Sequence, residues 1–70
     1  MKFNEMDIIR ASKNFPNTGV RRGDIGTVMI AYGSPREGYE VEFVDENGYP
    51  RPTFAVQPEE LELVRLDNQM

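Results

Sequence analysis

Carboxylate side chains are the residues of this sequence whose types and spacing could do chemistry. Glu40 and Glu42 stand two residues apart, and Glu59 and Glu60 are adjacent. Two carboxylates can serve as general acid and general base when their surroundings hold them at different pKa values. Glu40 and Glu42 alternate with apolar residues, which places both on one solvated face of a strand, where they lack that difference. We therefore expect no catalytic residues and no enzyme activity.

Other kinds of reactive site are absent or incomplete in the sequence. The 70 residues include no cysteine and no histidine, which excludes thiol and imidazole chemistry and disulfide bonds. The segment DENG offers oxygen ligands from residues 45–47, but a calcium loop needs further ligands at alternate positions and a distal glutamate. The segment RRGDIG lacks the lysine and the strand–loop–helix setting of a phosphate-binding loop. We predict no metal and no cofactor.

The charge distribution disfavours nucleic acid as a partner. Twelve acidic residues against eight basic ones give a net charge of −4. The basic residues are scattered, with Arg21–Arg22 as the one adjacent pair, so no basic stripe offsets the repulsion of a polyanion. Glu5, Asp7 and Arg10 interrupt the apolar residues near the N-terminus, and no apolar run approaches the length that spans a membrane. We expect a cytoplasmic protein with no membrane partner.

The elements that must position these residues are short strands. Glycine and proline recur at close intervals, which leaves little room for a helix and predicts an all-β sandwich or barrel. We expect one domain over residues 1–70, ordered over about 3–66 and frayed over 67–70. One short helical turn is expected near Pro58–Leu61, because Pro58 suits a first turn and Glu59 and Glu60 follow it. The five predicted strands are about Asp7–Ala11, Ile25–Tyr32, Gly38–Asp45, Thr53–Val56 and Leu61–Leu66.

Turn residues and apolar spacing define how these strands join. Gly23–Asp24 suits a sharp turn and Asn47–Gly48 suits a tight hairpin turn. Strand Ile25–Tyr32 carries apolar residues on both faces, which favours a bent strand of a closing barrel, with Gly26 at the bend or at a close approach. The prolines of YPRP, residues 49–52, predict an irregular or edge segment. The expected core consists of Val28, Ile30, Val41, Phe43, Phe54 and Leu61.

The remaining functional candidate is a docking surface. Tyr49 lies beside prolines in a loop and Phe15 precedes Pro16, so these are the aromatic residues that we expect to be exposed. An aromatic anchor beside carboxylates would suit a basic protein partner. The alternative is that the charges only keep the domain soluble. The predicted protein-binding residues are Glu40, Glu42, Asp45, Glu46 and Tyr49.

The chain resembles a small bacterial family of unknown function, chiefly cyanobacterial, with single domains of this length. The resemblance runs from about Phe3 to Leu66 and rests on NEMDIIR, VRRGDIGTVMIAYG, GYEVEFVDENG and PEELELV. The Gly-Asp turn with its following strand also resembles the KOW motif of SH3-like barrels in transcription and ribosomal factors. Both resemblances imply a five-stranded SH3-like barrel, in agreement with the strand count.

The resemblance also implies a role. Genes of the family often lie beside genes for small toxin-like proteins, which implies an antitoxin or immunity function and carries over no functional residues. Three hypotheses follow: a module that binds one protein partner of basic charge, a KOW-type barrel that binds nucleic acid, or an accessory subunit of a larger complex. The acidic charge opposes the second. The oligomeric state is left open.

Overall fold

The computed structural model describes residues 2–65, so the predicted fraying of residues 67–70 lies outside the described residues. Five antiparallel strands form one sheet in the order β4-β3-β2-β1-β5. A 3₁₀ turn, Pro58–Glu60, precedes the last strand. The fold is a small all-β, barrel-like domain, as predicted. The strands are β1 Ile8–Ala11, β2 Ile25–Tyr32, β3 Gly38–Phe43, β4 Phe54–Val56 and β5 Leu61–Arg65.

The strand ends differ from the prediction by one or two residues. β3 ends at Phe43 instead of Asp45, because Val44 forms an isolated bridge with Pro50 before the hairpin turn begins. β4 begins at Phe54, after an irregular segment that includes the predicted YPRP prolines. Pro50 and Pro52 have no N–H to donate, so they cannot extend the ladder to the turn. The predicted last residue of β5, Leu66, lies outside the described residues.

The core lies on one side of the sheet. Phe43 is fully buried and its ring stacks on the half-buried ring of Phe54, with the centroids 5.7 Å apart. Of the predicted core residues, Val28, Val41, Phe43 and Leu61 are buried, and Phe54 packs against them. The buried apolar residues are Phe3, Ile9, Ala11, Val20, Val28, Tyr39, Val41, Phe43, Val56 and Leu61.

The prediction that Ile30 lies in the core is wrong, and a β-bulge is the reason. The pairing of β2 with β3 runs from Val28↔Val41 to Ile30↔Glu40, so Met29 and Ile30 together face one residue of β3. A bulge of this kind inserts one residue and shifts the alternation of all that follow. Ile30 is consequently 44% exposed. The apolar residues on the second face of β2 are exposed, so this strand is covered on one side only.

The predicted turn chemistry is confirmed at both positions. Gly23 has φ +94°, and the Asp24 carboxylate Oδ2 accepts a hydrogen bond from the Arg21 backbone N–H at 2.9 Å. Gly48 has φ +83°, and its N–H donates to the Asp45 carbonyl at 2.9 Å. Glycine adopts this left-handed conformation without the steric cost that other residues carry. The two turns fix where β2 begins and where β3 returns.

A hydrogen-bonded clasp ties the N-terminal segment to β3. The buried Tyr39 hydroxyl accepts from the Phe3 N–H at 3.0 Å and donates to the Glu37 carboxylate, which also accepts from the Lys2 N–H at 2.7 Å. The hydrogen bond from Tyr39, followed by that from Lys2, lowers the pKa of Glu37. Burial, followed by the bond to Glu37, raises the pKa of Tyr39. The clasp therefore favours an ionised Glu37 beside a protonated Tyr39.

Candidate functional site

The carboxylates of β3 lie on the outer side of the sheet. Glu40 and Glu42 alternate with Tyr39, Val41 and Phe43, which are fully buried on the other side. Glu40 accepts a hydrogen bond from the Thr53 hydroxyl at 2.9 Å. Within residues 2–65 neither Glu40 nor Glu42 forms an ion pair. The sheet thus presents two acidic groups whose charge no nearby cation of the described chain offsets.

The hairpin after β3 holds the other predicted binding residues. The Asp45 carboxylate Oδ1 accepts hydrogen bonds from the Asn47 N–H at 2.9 Å and the Tyr49 N–H at 3.0 Å. Asp45 therefore stabilises its own turn, as Asx-type side chains commonly do. Glu46 is exposed and Tyr49 is 67% exposed. The expected exposure of Tyr49 is confirmed, but Asp45 has a structural role in this turn.

The five predicted site residues form two groups along the sheet. Glu40 and Glu42 share the outer side of β3, while Asp45, Glu46 and Tyr49 gather at the hairpin tip, where the Asp45 N–H donates to the Tyr49 carbonyl at 2.8 Å. A strand advances about 3.3 Å per residue, so Glu40 lies about 16 Å along the chain direction from Asp45. Glu42 lies between them, about 10 Å from Asp45 by the same measure.

Exposed apolar residues of β2 adjoin the β3 carboxylates, and sequence reasoning missed them. Ile30 lies directly opposite Glu40 in the ladder, and Met29 and Tyr32 on the same strand are also exposed. We call the surface formed by Met29, Ile30, Tyr32, Glu40 and Glu42 the outer face. Adjacent apolar and charged groups of this kind are typical of the centre and rim of a protein interface.

The prediction that Phe15 would be exposed is wrong. Phe15 is half-buried, and its ring lies 5.3 Å from that of Phe54 and 6.3 Å from that of Phe43, measured between centroids. An isolated bridge between Phe15 and Val20 closes the loop that turns its ring inward. Proline at position 16 fixed the backbone of the loop but not the direction of the ring before it. Phe15 belongs to the packing of the core and not to a docking surface.

Two further features are absent from residues 2–65. Residues 2–65 bring together no group of three or more acidic, histidine or cysteine side chains that could hold a metal ion. Across that stretch no helix has the length and apolar character needed to cross a membrane. The outer face and the hairpin tip are thus the places where the predicted functional residues meet.

Comparison with known families gives a match over most of the chain. Residues 5–63 match the family described as "Domain of unknown function (DUF4926)". The chain belongs to the DUF4926 family. This match confirms the resemblance to a small family of unknown function, and it spans all of β1–β4 and the first part of β5. No curated protein and no solved structure matches this DUF4926 chain.

Proposed function

We propose that this DUF4926 domain is a non-enzymatic module that binds one basic protein partner through the outer face. The observation that carries the proposal is the position of two unpaired carboxylates, Glu40 and Glu42, beside the exposed apolar residues of β2. Apolar contacts supply most of the affinity of an interface. Carboxylates select a partner of opposite charge and speed its approach. The outer face combines both.

The specific form that we propose is inhibitory, as an antitoxin or immunity protein. An enzyme that acts on nucleic acid has a basic substrate groove, and an acidic domain seated there would exclude the substrate. The net charge of −4 supports this form, because it attracts a basic surface over distances longer than direct contacts. A captured partner that cleaves nucleic acid should therefore lose activity when the domain is added in equal amount.

Affinity capture from the native cell tests the proposal with matched charge changes. The test variant is Glu42→Lys, and the control is Glu59→Lys, which reverses an exposed carboxylate elsewhere that, like Glu42, forms no ion pair within residues 2–65. Both change the net charge of −4 by the same amount. We expect a protein that binds the native domain and the control variant but not the test variant. An identical set of proteins on all three baits would contradict the proposal.

The captured partner then allows a kinetic test of the apolar part. Ile30→Ser removes an outer-face side chain that is 44% exposed, and Val64→Ser removes one on β5 with the same exposure of 44%. Ile30→Ser should raise the dissociation rate, whereas Glu40→Lys should chiefly slow association and weaken its dependence on salt. Val64→Ser should leave both rates unchanged. Equal rates for all three variants would place the interface elsewhere.

Nuclease treatment separates this proposal from the KOW-type alternative. If the captured protein remains bound after RNase and DNase treatment, the contact is between proteins. We also expect no micromolar binding of labelled single- or double-stranded oligonucleotides at physiological salt, because the chain has a net charge of −4. Capture that nuclease abolishes, together with micromolar oligonucleotide binding, would favour nucleic-acid recognition instead.

A further inference from the structure

A second candidate site surrounds Arg51, on the irregular segment between the hairpin and β4. The Arg51 N–H donates to the Phe43 carbonyl at 2.8 Å, which fixes the residue beside the end of β3. Its side chain is partly buried, and its Nε is shielded from solvent with no hydrogen-bond partner. Within residues 2–65 the guanidinium forms no ion pair and no hydrogen bond. A guanidinium offers five N–H donors, and none of those of Arg51 has an acceptor among the described residues.

The guanidinium of Arg51 packs against the backbone of Gly19. It lies against Gly19, where a methyl group would come within 2.5 Å of Nη1 and 3.0 Å of Cζ. Gly19 has φ +82°, and the loop before it is fastened by Thr18, whose hydroxyl donates to the Phe15 carbonyl at 2.7 Å and accepts from the Val20 N–H at 3.0 Å. The absent side chain at position 19 thus leaves the space that the guanidinium fills.

The Arg51 guanidinium forms one wall of a surface cleft of about 290 Å³. Ile25 and Val44 supply an apolar wall, and each is 41% exposed. Two lining carboxylates are already used within the chain: Asp24 accepts from the Arg21 N–H and Asp45 accepts from the N–H groups of its hairpin. Arg21 and Glu46 also line the cleft, both are exposed, and their charges offset each other. The cleft therefore offers the guanidinium of Arg51 beside exposed apolar side chains.

We propose that this cleft binds the α-carboxylate of a ligand with an apolar side chain. That chemistry belongs to the C-terminal residue of a polypeptide and to a free apolar amino acid. The fork of a guanidinium matches the two oxygens of a carboxylate, and the wall of Ile25 and Val44 would accept the side chain. Asp24, Asp45 and Glu46 also line the cleft, and their negative charge opposes the higher charge of a phosphate group more strongly than the single charge of a carboxylate. The site does not rest on the proposed function, whose outer face shares no residue with this cleft.

Titration with small capped peptides, followed by ¹⁵N-edited NMR, tests this site. The probes are N-acetyl-alanyl-leucine with a free carboxylate, the same peptide as its C-terminal amide, L-leucine, and inorganic phosphate. The carboxylate peptide should give saturable shifts of the Arg51 Nε–H and of the Gly19 and Gly23 amides, and the amide should give none. Binding of the peptide without L-leucine identifies a polypeptide terminus, and binding of both identifies amino-acid recognition.

Two pairs of variants provide the controls. Arg51→Gln should abolish the shifts of the Gly19 amide, while Arg22→Gln, an exposed neighbour outside the cleft, should retain them. Val44→Asp places a negative charge at the cleft wall and should weaken binding about tenfold or more, whereas Val64→Asp on β5 should not. The second pair decides the matter if Arg51→Gln does not fold. Equal shifts with the amide, equal binding by Val44→Asp, or saturation by phosphate alone would overturn the proposal.

Discussion

Replacing Gly26 by alanine tests how closely strands β2 and β3 pack. Gly26 is buried in β2, opposite Phe43 of β3. A methyl group there would lie 2.9 Å from the Glu42 carbonyl oxygen, 2.9 Å from Cδ1 of Phe43 and 3.0 Å from Cγ1 of Val41. The carbonyl is part of the β3 backbone, and Val41 and Phe43 are fully buried. The carbonyl oxygen cannot move aside without displacing the strand, and the two side chains are confined by the core around them.

The expected cost follows from this crowding. Overpacking of a well-packed interior usually costs about 1–3 kcal/mol, so the free energy of unfolding should fall by that amount in Gly26→Ala. For a domain of this size each kcal/mol shifts the melting temperature by about 4–8 °C, which gives a fall of about 4–24 °C. Gly38→Ala is the matched control. Gly38 also lies in a strand, but its added methyl group would have no neighbour nearer than 3.8 Å.

The two variants should move stability in opposite directions. Alanine at position 38 fits the native backbone and restricts the unfolded chain, which stabilises a protein by about 0.4–1 kcal/mol. Thermal unfolding followed by circular dichroism, and urea unfolding followed by tyrosine fluorescence, measure both changes, because the chain contains three tyrosines and no tryptophan. If Gly26→Ala proved as stable as Gly38→Ala, the close approach of β2 and β3 at this position would be refuted.

Two further predictions concern the core and the clasp. Phe43→Ala should lower the free energy of unfolding, measured in urea, by about 3–5 kcal/mol. Tyr49→Ala, at a residue that is 67% exposed, should change it by no more than about 0.5 kcal/mol. Similar losses in both variants would contradict the assigned core. The pKa of Glu37 is lowered by its bonds to Tyr39 and Lys2, so its stabilising effect is present above about pH 4.3 and disappears as pH falls through the lowered value. Glu37→Gln should therefore destabilise the domain at pH 7, and its difference from the native domain should shrink as the pH falls through the lowered pKa of Glu37. A difference that stays constant over this range would exclude the clasp.

Most of the fold could be predicted from the sequence, because the patterns that determine it involve residues close together in the chain. In β3 the alternation of Tyr39, Val41 and Phe43 with two glutamates predicted which side would be buried, and the structure confirms it. Gly23 and Gly48 were predicted as turn residues from the backbone conformations that glycine alone adopts easily, and both have positive φ. Such features need only neighbouring residues, so they can be read without knowledge of the pairing.

The features that escaped prediction depend on residues far apart in the chain. The bulge at Met29 exists because β3 pairs with β2 in a shifted register, and nothing in the local sequence TVMIA marks it. Arg51 and Gly19 come together only when the hairpin folds beside the first long loop. Phe15 packs inward because the rings of Phe43 and Phe54 lie behind it. In each case the tertiary contact, and not the local pattern, decides where the side chain goes.

The bulge in β2 links the fold to the proposed function. Without it, strict alternation would send Ile30 to the same side as Val28, into the core. With it, Met29 and Ile30 are both exposed, next to the carboxylates of β3. The exposed part of these side chains adds nothing to the stability of an isolated domain, and adjoining exposed apolar groups favour self-association. Their position beside two unpaired carboxylates therefore supports a role in contact with another protein, where burial of Met29 and Ile30 would contribute affinity and the charges would select the partner.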